Sequence, residues 1–214
     1  STRRYFIEAT DLETFDFKPG QFVTLDLPIH EKKNKRWRSY SIASAPNGTN
    51  IFELVIVLVE DGLGTPFLFN NIKIGDPILF RGPAGIFVLP EIIEHDYFMI
   101  CTGTGIAPFR SMAHHIYNHS IPCKELYLIF GTRTKQDLLY YNDLMELQEK
   151  MPNFHFIPTL SREQWEGRHG YVHDVYKELA QGKPHADFLL CGWKNMIDEA
   201  KQNLLEMLKN SKNK

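Results

Sequence analysis

Cys101-Thr102-Gly103-Thr104-Gly105-Ile106-Ala107-Pro108 is the stretch on which the reading of this chain turns. Before it, Tyr97 to Cys101 is an apolar run of strand length. After it, Phe109, Met112 and Ile116 recur at helical spacing. Gly103 and Gly105 let the connecting backbone turn tightly and approach a ligand. Pro108 suits the first helical turn, where its missing N–H costs nothing, and the free amides beside it favour phosphate. The spacing is not G-x-G-x-x-G, and no Lys-Ser or Lys-Thr follows as a P-loop would require, so ATP hydrolysis is disfavoured. Thr102, Gly103, Thr104, Gly105 and Pro108 are candidates for holding a pyrophosphate; the alternative is a plain strand-to-helix turn.

Toward the C-terminus, apolar strands alternate with amphipathic helices, the pattern of a parallel sheet with crossover helices. The strands are expected at Tyr97 to Cys101, Leu126 to Phe130, Phe154 to Pro158 and Phe188 to Cys191. The helices are expected around Phe109-Met112-Ile116, Tyr141-Leu144-Leu147 and Ile197-Ala200-Leu204-Met207-Leu208. Loops at the carboxyl ends of parallel strands line the crevice where nucleotides bind. Gly131-Thr132-Arg133, Ser161-Arg162 and Cys191-Gly192 all fall there. A hydroxyl beside a guanidinium suits a phosphate monoester such as the 2′-phosphate of NADP, because the guanidinium fork matches phosphate oxygens; the alternative is a loop charge paired with Glu163. A thiol at Cys191 suits contact with a nicotinamide ring, or is a small apolar filler.

Toward the N-terminus the rhythm is different. Short β-like runs, Phe22 to Leu27, Ile51 to Val59 and Ile78 to Phe80, are punctuated by Pro19-Gly20, Asn47-Gly48, Gly75-Asp76-Pro77 and Gly82-Pro83-Ala84-Gly85. An antiparallel barrel closes such strands without leaving edges. One helix is expected, from Thr65 to about Asn71. On a strand, Arg38 and Tyr40 share a face and Ser41 takes the other. Tyr40 can stack on a flat ring, Arg38 can neutralise a diphosphate and Ser41 can hydrogen-bond a ring heteroatom; a tyrosine packed in the barrel beside an exposed arginine is the alternative. The fold is thus expected in two domains, an antiparallel β-barrel over residues 1–92 and an α/β parallel-sheet nucleotide-binding domain over 93–214, with a short boundary near Glu91 to His95 and no internal repeat.

Composition narrows the field. The chain has 214 residues, enough for two cores. A formal charge of -2 gives no general attraction for nucleic acid or an anionic membrane. Cys101, Cys123 and Cys191 form no C-x-x-C pair, which argues against a disulfide framework and against a zinc or iron–sulfur site, and reduced thiols fit the cytoplasm. No apolar run approaches the roughly 20 residues that cross a bilayer, and no hydrophobic signal core follows Ser1-Thr2-Arg3-Arg4-Tyr5.

In chain order, Arg38-x-Tyr40-Ser41-x-Ala43-Ser44, Gly82-Pro83-Ala84-Gly85, Gly103-Thr104-Gly105-Ile106-Ala107-Pro108, Phe130-Gly131-Thr132-Arg133, Ser161-Arg162-Glu163 and Cys191-Gly192 resemble the ferredoxin–NADP reductase superfamily over nearly the whole chain. The resemblance implies an FAD-binding barrel followed by an NADP-binding domain, with NAD as the alternative coenzyme and hydride passing between nicotinamide and flavin. It implies that Tyr40 stacks on the isoalloxazine, Ser41 bonds near its reacting nitrogen, and Arg38 holds the FAD pyrophosphate. Thr65 would be a second phosphate contact, on an approximate match at Gly62-Leu63-Gly64, while Val57 and Val59 lie along the cofactor through their backbones. Thr102 to Pro108 would take the NADP pyrophosphate, and Cys191, with Gly192, would approach the nicotinamide. Ser161 and Arg162 would grip the 2′-phosphate, helped by Arg133 and Arg168. Tyr40, Ser41 and Cys191 are on this reading the residues nearest the chemistry, and no general acid or base is needed.

Two departures are expected to matter. Plant-type members end in an aromatic that covers the second flavin face, whereas Asn210 to Lys214 offers none, so another residue covers it or the cover is absent. The basic residue expected two places before Tyr171 is His169. The leading expectation is an FAD-dependent NAD(P)H oxidoreductase that exchanges single electrons with ferredoxin or flavodoxin. The basic run Lys32-Lys33-Asn34-Lys35-Arg36-Trp37-Arg38 would steer that acidic carrier, or is a solvated hairpin tip. A flavin or quinone reductase and a non-catalytic redox-sensing subunit are the alternatives.

Overall fold

A computed structural model describes residues 1–212, which divide into two compact units. The first comprises Ser1–Leu89 with Arg110–His115; the second comprises Pro90–Phe109 with Ile116 onward.

The first unit is built from β1 (Thr2–Glu8), β2 (Phe22–Asp26), β3 (Trp37–Ser41), β4 (Ile51–Val57), α1 (Gly64–Asn70) and β5 (Leu79–Ala84). All of its pairings are antiparallel. β1 lies along β4 from Thr2↔Val57 to Glu8↔Ile51, and β2 is the centre of a β3-β2-β5 sheet. An isolated bridge between Ile42 and Leu54 joins the two sheets. Between them Val23, Leu25, Ile42, Phe52, Leu54 and Ile56 are buried. Phe15 caps this core, its ring 4.7 Å from that of Phe52. Burial of side chains of this size contributes about 2 kcal/mol each.

Two details depart from the sequence pattern. The run expected to continue to Val59 leaves the ladder at Val57, because the Val59 N–H turns to Thr65 Oγ1, 2.8 Å away. Gly82-Pro83-Ala84, which reads as a turn, lies within β5 instead, where a register shift opposite Phe22 and Thr24 accommodates it.

The second unit runs β6 (Tyr97–Thr102), α2 (Ile106–Asn118, whose middle, Arg110–His115, belongs to the first unit), β7 (Leu126–Thr132), α3 (Tyr141–Lys150), β8 (Phe154–Leu160), β9 (Arg168–His169), α4 (Val172–Leu179), β10 (Asp187–Cys191) and α5 (Lys194–Lys212). Its sheet is wholly parallel, in the order β10-β6-β7-β8-β9. β6 is buried from Tyr97 to Cys101, as expected of a strand with helices on both faces. β9 and α4 are additions to the expected elements. α4 buries Val172, Val175 and Tyr176 against the sheet, beside Phe98, Ile100 and Ile129.

The order also locates the crevice. From β6 the chain steps outward through β7, β8 and β9, then returns to the other side of β6 as β10. Strand order therefore reverses at β6, and the carboxyl ends of β6 and β10 flank the switch point where a nucleotide binds in such sheets.

Candidate functional site

At that switch point Cys101 and Cys191 are in-register neighbours, so the loops that follow them start side by side. After Thr102 the chain makes a single 3-10 turn over Gly103–Gly105 and enters α2. The approach of the two loops is close. A Cβ on Gly105 would stand 2.4 Å from the carbonyl oxygen of Cys191, and one on Gly192 would stand 2.3 Å from Thr102 Oγ1. Gly192 also has φ +145°, a conformation in which a side chain is strained. The Trp193 N–H donates to Thr102 Oγ1 at 3.2 Å, tying the second loop to the first.

Burial pushes the Cys191 thiol up to about 11 and the fully buried Cys101 thiol up as well. Both are neutral thiols at physiological pH rather than nucleophiles. Of the two, Cys191 is the partly exposed one, facing the crevice end of β10.

The next two strand ends also meet. The Ser161 N–H and hydroxyl both donate to the Thr132 carbonyl, at 3.0 and 3.3 Å, and the Arg162 N–H donates to the Arg133 carbonyl at 3.0 Å. Arg133 and Arg162 are exposed and have no carboxylate partner among the described residues. Glu163, the expected partner of Arg162, instead accepts the Lys135 N–H at 2.8 Å. Arg168 is held differently: its guanidinium makes a two-pronged pair with Glu178 at 2.7 and 2.9 Å.

In the first unit, Arg38 and Tyr40 face β2 opposite Leu25 and Val23. The half-buried Tyr40 packs on the barrel core, and burial pushes its hydroxyl up to about 12, so it stays protonated. The Arg38 side chain lies across the first turn of α1, where a Cβ on Gly64 would be 3.0 Å from Arg38 Cγ. Its Nη1 donates to the carbonyls of Lys35 and Trp37, and no carboxylate among the described residues offsets its charge. Thr65 Oγ1 ties the same turn to Val59, while Val57 ends β4. The Ser41 hydroxyl has no hydrogen-bond partner among the described residues.

These features fit two anionic ligands. An uncompensated guanidinium over a glycine turn, beside an aromatic and an unpaired hydroxyl, suits a flavin diphosphate. A glycine-lined turn opening a helix, with two uncompensated arginines at the next strand ends, suits a nicotinamide dinucleotide. Among the described residues no cluster of His, Cys, Asp and Glu could hold a metal, and no helix is long and apolar enough to cross a membrane. The expected lack of an aromatic at the end of the chain concerns Asn210 to Lys214, of which Asn213 and Lys214 lie outside the described residues.

Three residues that no sequence motif marks organise the flavin-side motif. Arg110 Nη1 donates to the Ala43 carbonyl at 2.9 Å, and Ser111 Oγ donates to the Ser44 carbonyl at 2.7 Å. Glu53 sits beneath, buried, with Arg4 and Arg110 on its carboxylate. Trp193 also lies outside those motifs, directly after Cys191-Gly192.

Comparison with known proteins agrees with both halves. The family model described as "Oxidoreductase FAD-binding domain" matches residues 1–89, and "Oxidoreductase NAD-binding domain" matches 99–202. Ferredoxin--NADP reductase B of Sorangium cellulosum is 34% identical over 91% of this chain and 82% of its own length. The anthranilate 1,2-dioxygenase electron transfer component of Acinetobacter baylyi is 31% identical over 89% of this chain, which spans about half (54%) of that longer protein. The structure of a ferredoxin NADP+ reductase from Neisseria gonorrhoeae with bound FAD and NADP superposes with a TM-score of 0.80, at 30% identity, over 96% of this chain and 85% of that one. The chain belongs to the ferredoxin–NADP reductase family of oxidoreductases, with an FAD-binding domain followed by an NAD-binding domain.

Proposed function

We propose that the chain is an FAD-dependent NAD(P)H oxidoreductase that passes hydride between NADPH and flavin and exchanges single electrons with a separate carrier of the ferredoxin or flavodoxin kind. The observation that carries this is the glycine-clamped loop at the β6/β10 switch point, in a chain whose other unit presents Arg38 uncompensated over Gly64. Bound flavin would supply the exchange between two-electron and one-electron chemistry. The chain's own residues bind and orient. Arg38 and the first turn of α1 would hold the flavin diphosphate, with Thr65, Val59 and Val57 shaping its bed. Tyr40 would lie flat against the ring system as a neutral phenol, and the Ser41 hydroxyl would donate to a ring heteroatom. Thr102 to Pro108 would cradle the coenzyme pyrophosphate on backbone amides, and the uncharged Cys191 thiol, with Gly192, would border the nicotinamide without competing as a nucleophile. Residues 1–92 and 93–214 are the proposed extents of the two binding domains, and free thiols at Cys101, Cys123 and Cys191 support a cytoplasmic setting.

Anaerobic titration of the FAD-loaded protein with NADPH and with NADH tests this: the yellow absorbance should bleach within seconds of mixing. A protein that takes up no FAD, or whose flavin neither coenzyme bleaches, removes the proposal.

For coenzyme choice, Ser161 and Arg162 are the proposed grip on the 2′-phosphate, with Arg133 beside them. Arg168 ranks behind because Glu178 already holds it. Loss of one charge-assisted contact of about 1.5 kcal/mol or more predicts that Arg162→Ala lowers the NADPH-to-NADH turnover ratio about tenfold. An unchanged ratio would move the 2′-phosphate elsewhere.

For the carrier, Lys32, Lys33 and Lys35 are exposed on the turn leading into β3, whereas Arg36 is paired with Asp26. Reversing the three lysines to Glu should slow reduction of an acidic ferredoxin at low ionic strength, with the gap closing as salt is raised. Rates equal to wild type at every salt concentration would argue against this docking face.

A further inference from the structure

The indole of Trp193 stands at the lip of the glycine loop, and its N–H has no hydrogen-bond partner among the described residues. It is 65% exposed, and a Cβ on Gly103 would lie 3.7 Å from its Nε1. Its placement comes from the backbone. The Trp193 N–H is bound to Thr102 Oγ1, and Gly192 turns the chain back over the loop. The other two tryptophans each meet a neighbour, one through its N–H and one through its ring face. Trp165 donates its indole N–H to the Arg168 carbonyl at 2.7 Å, and Trp37 lies under the Arg81 guanidinium, 4.4 Å from the ring. Trp193 makes neither kind of contact among the described residues. A wide apolar face with a polar edge, carried on an anchored backbone and left open, suits a ligand that has both characters.

The sheet indicates which end of the coenzyme arrives there. Ser161 and Arg162 follow β8, and Trp193 follows β10, three strand spacings away, about 14 Å. A dinucleotide gripped by its 2′-phosphate beyond β8 and by its pyrophosphate over Gly103 to Pro108 extends its nicotinamide half toward β10. Trp193 is on that side, two residues beyond the neutral thiol of Cys191.

We propose that Trp193 is a coenzyme-binding residue: its indole N–H donates to a phosphate or ribose oxygen in the nicotinamide half of NAD(P)H, and its ring lies against that half. The proposal rests on the reading of Thr102 to Pro108 as the pyrophosphate site. Those oxygens are common to NADH and NADPH, so Trp193 contributes affinity for both and does not choose between them.

Calorimetric titration of the FAD-loaded protein tests this with three probes: NADP+, NAD+ and 2′,5′-ADP, which carries the 2′-phosphate but no nicotinamide half. Trp193→Phe should weaken NADP+ and NAD+ by the same factor, about fivefold, the loss of one hydrogen bond. Trp193→Ala, which also removes the aromatic face, should weaken both further, to about twentyfold. Binding of 2′,5′-ADP should stay within twofold of wild type in both variants. Quenching of tryptophan emission by NADP+ should disappear in Trp193→Phe, a signature that loss of folding would not mimic while 2′,5′-ADP still binds. NADP+ affinity unchanged in both variants overturns the proposal and leaves the loop reading standing. Equal weakening of 2′,5′-ADP overturns it too, because Trp193 would then serve only the shape of the loop. A wild-type protein that binds none of the three overturns the loop reading itself, and the proposal with it.

Discussion

Gly105→Ala is expected to strip the protein of its nicotinamide coenzyme while leaving its flavin in place. The added methyl would stand 2.4 Å from the Cys191 carbonyl oxygen, 2.7 Å from the carbonyl carbon and 2.8 Å from the Gly192 Cα. These are backbone atoms, so no rotamer change relieves the clash. β10 cannot draw back without breaking its register with β6, which runs from Asp187↔Tyr97 to Cys191↔Cys101. Nor can the Cys191-Gly192 turn slide, since the Trp193 N–H holds it to Thr102. The first turn of α2 must therefore lift. Overpacking of this kind costs about 2 kcal/mol or more, and the strain falls on the amides proposed to cradle pyrophosphate. NADP+ affinity should fall at least tenfold, and FAD content should match wild type because Arg38, Tyr40 and Ser41 lie in the other unit and the strain is taken up in the first turn of α2, ahead of Arg110 and Ser111. Gly103→Ala is the comparison. Its Cβ meets nothing nearer than 3.7 Å, and the left-handed φ of +55° costs about 1 kcal/mol, so the loss should be smaller. If Gly105→Ala binds NADP+ within twofold of wild type, the loop is not clamped against β10 in the way described.

That loop was legible from sequence because everything it needs is local. Two glycines, a proline and a strand-length apolar run within a dozen or so residues specify a turn whose backbone does the work. The parallel strands were legible for a related reason: burial on both faces leaves nearly unbroken apolar runs at Tyr97 to Cys101 and Leu126 to Phe130. Where burial is one-sided or the element is short, the signal faded. β9 is two exposed residues, Arg168 and His169, joined to the sheet by pairing with Thr159 and Leu160, and composition says nothing about a partner so far away. α4 did carry a pattern, Val172, Val175, Tyr176 and Leu179 at i, i+3, i+4 and i+7, but four charged or imidazole side chains interleave it over only eight residues. β5 was hidden by its own turn-like residues, since Gly82-Pro83 lies inside the strand. What could not be read at all was the support behind the flavin motif. Ala43 and Ser44 are held by groups from positions 53, 110 and 111, and no periodicity in one sequence links them.

Replacing Glu53 should test that hidden support and cost the first unit more than a typical substitution. The Glu53 side chain is 4% exposed and carries two arginines. Arg4 binds it with Nε at 2.5 Å and Nη2 at 3.0 Å, and Arg110 approaches Oε2 at 3.5 Å. Arg4 keeps half its side chain in water and loses little when its partner goes. Arg110, only 13% exposed, would lose this carboxylate, and breaking a buried pair in this way costs about 3 kcal/mol. The damage would not stop at stability. Glu53 backbone groups hold the same two residues as Arg110 and Ser111: the Ala43 N–H donates to the Glu53 carbonyl at 2.8 Å, and the Glu53 N–H donates to Ser44 Oγ at 3.0 Å. Ala43 is two residues from Ser41. A shift of Arg110 that pulls on the Ala43 carbonyl therefore reaches the hydroxyl proposed to meet the flavin ring. Glu53→Gln, which keeps the volume and removes the charge, is expected to melt several degrees below wild type and to bind FAD about tenfold more weakly. Adding Arg110→Met should restore part of the melting temperature by removing the buried guanidinium that has lost its carboxylate, yet leave FAD binding impaired, because the bond to the Ala43 carbonyl is then gone. A Glu53→Gln protein with wild-type melting and wild-type FAD affinity would show that the cluster neither stabilises this unit nor positions the flavin motif.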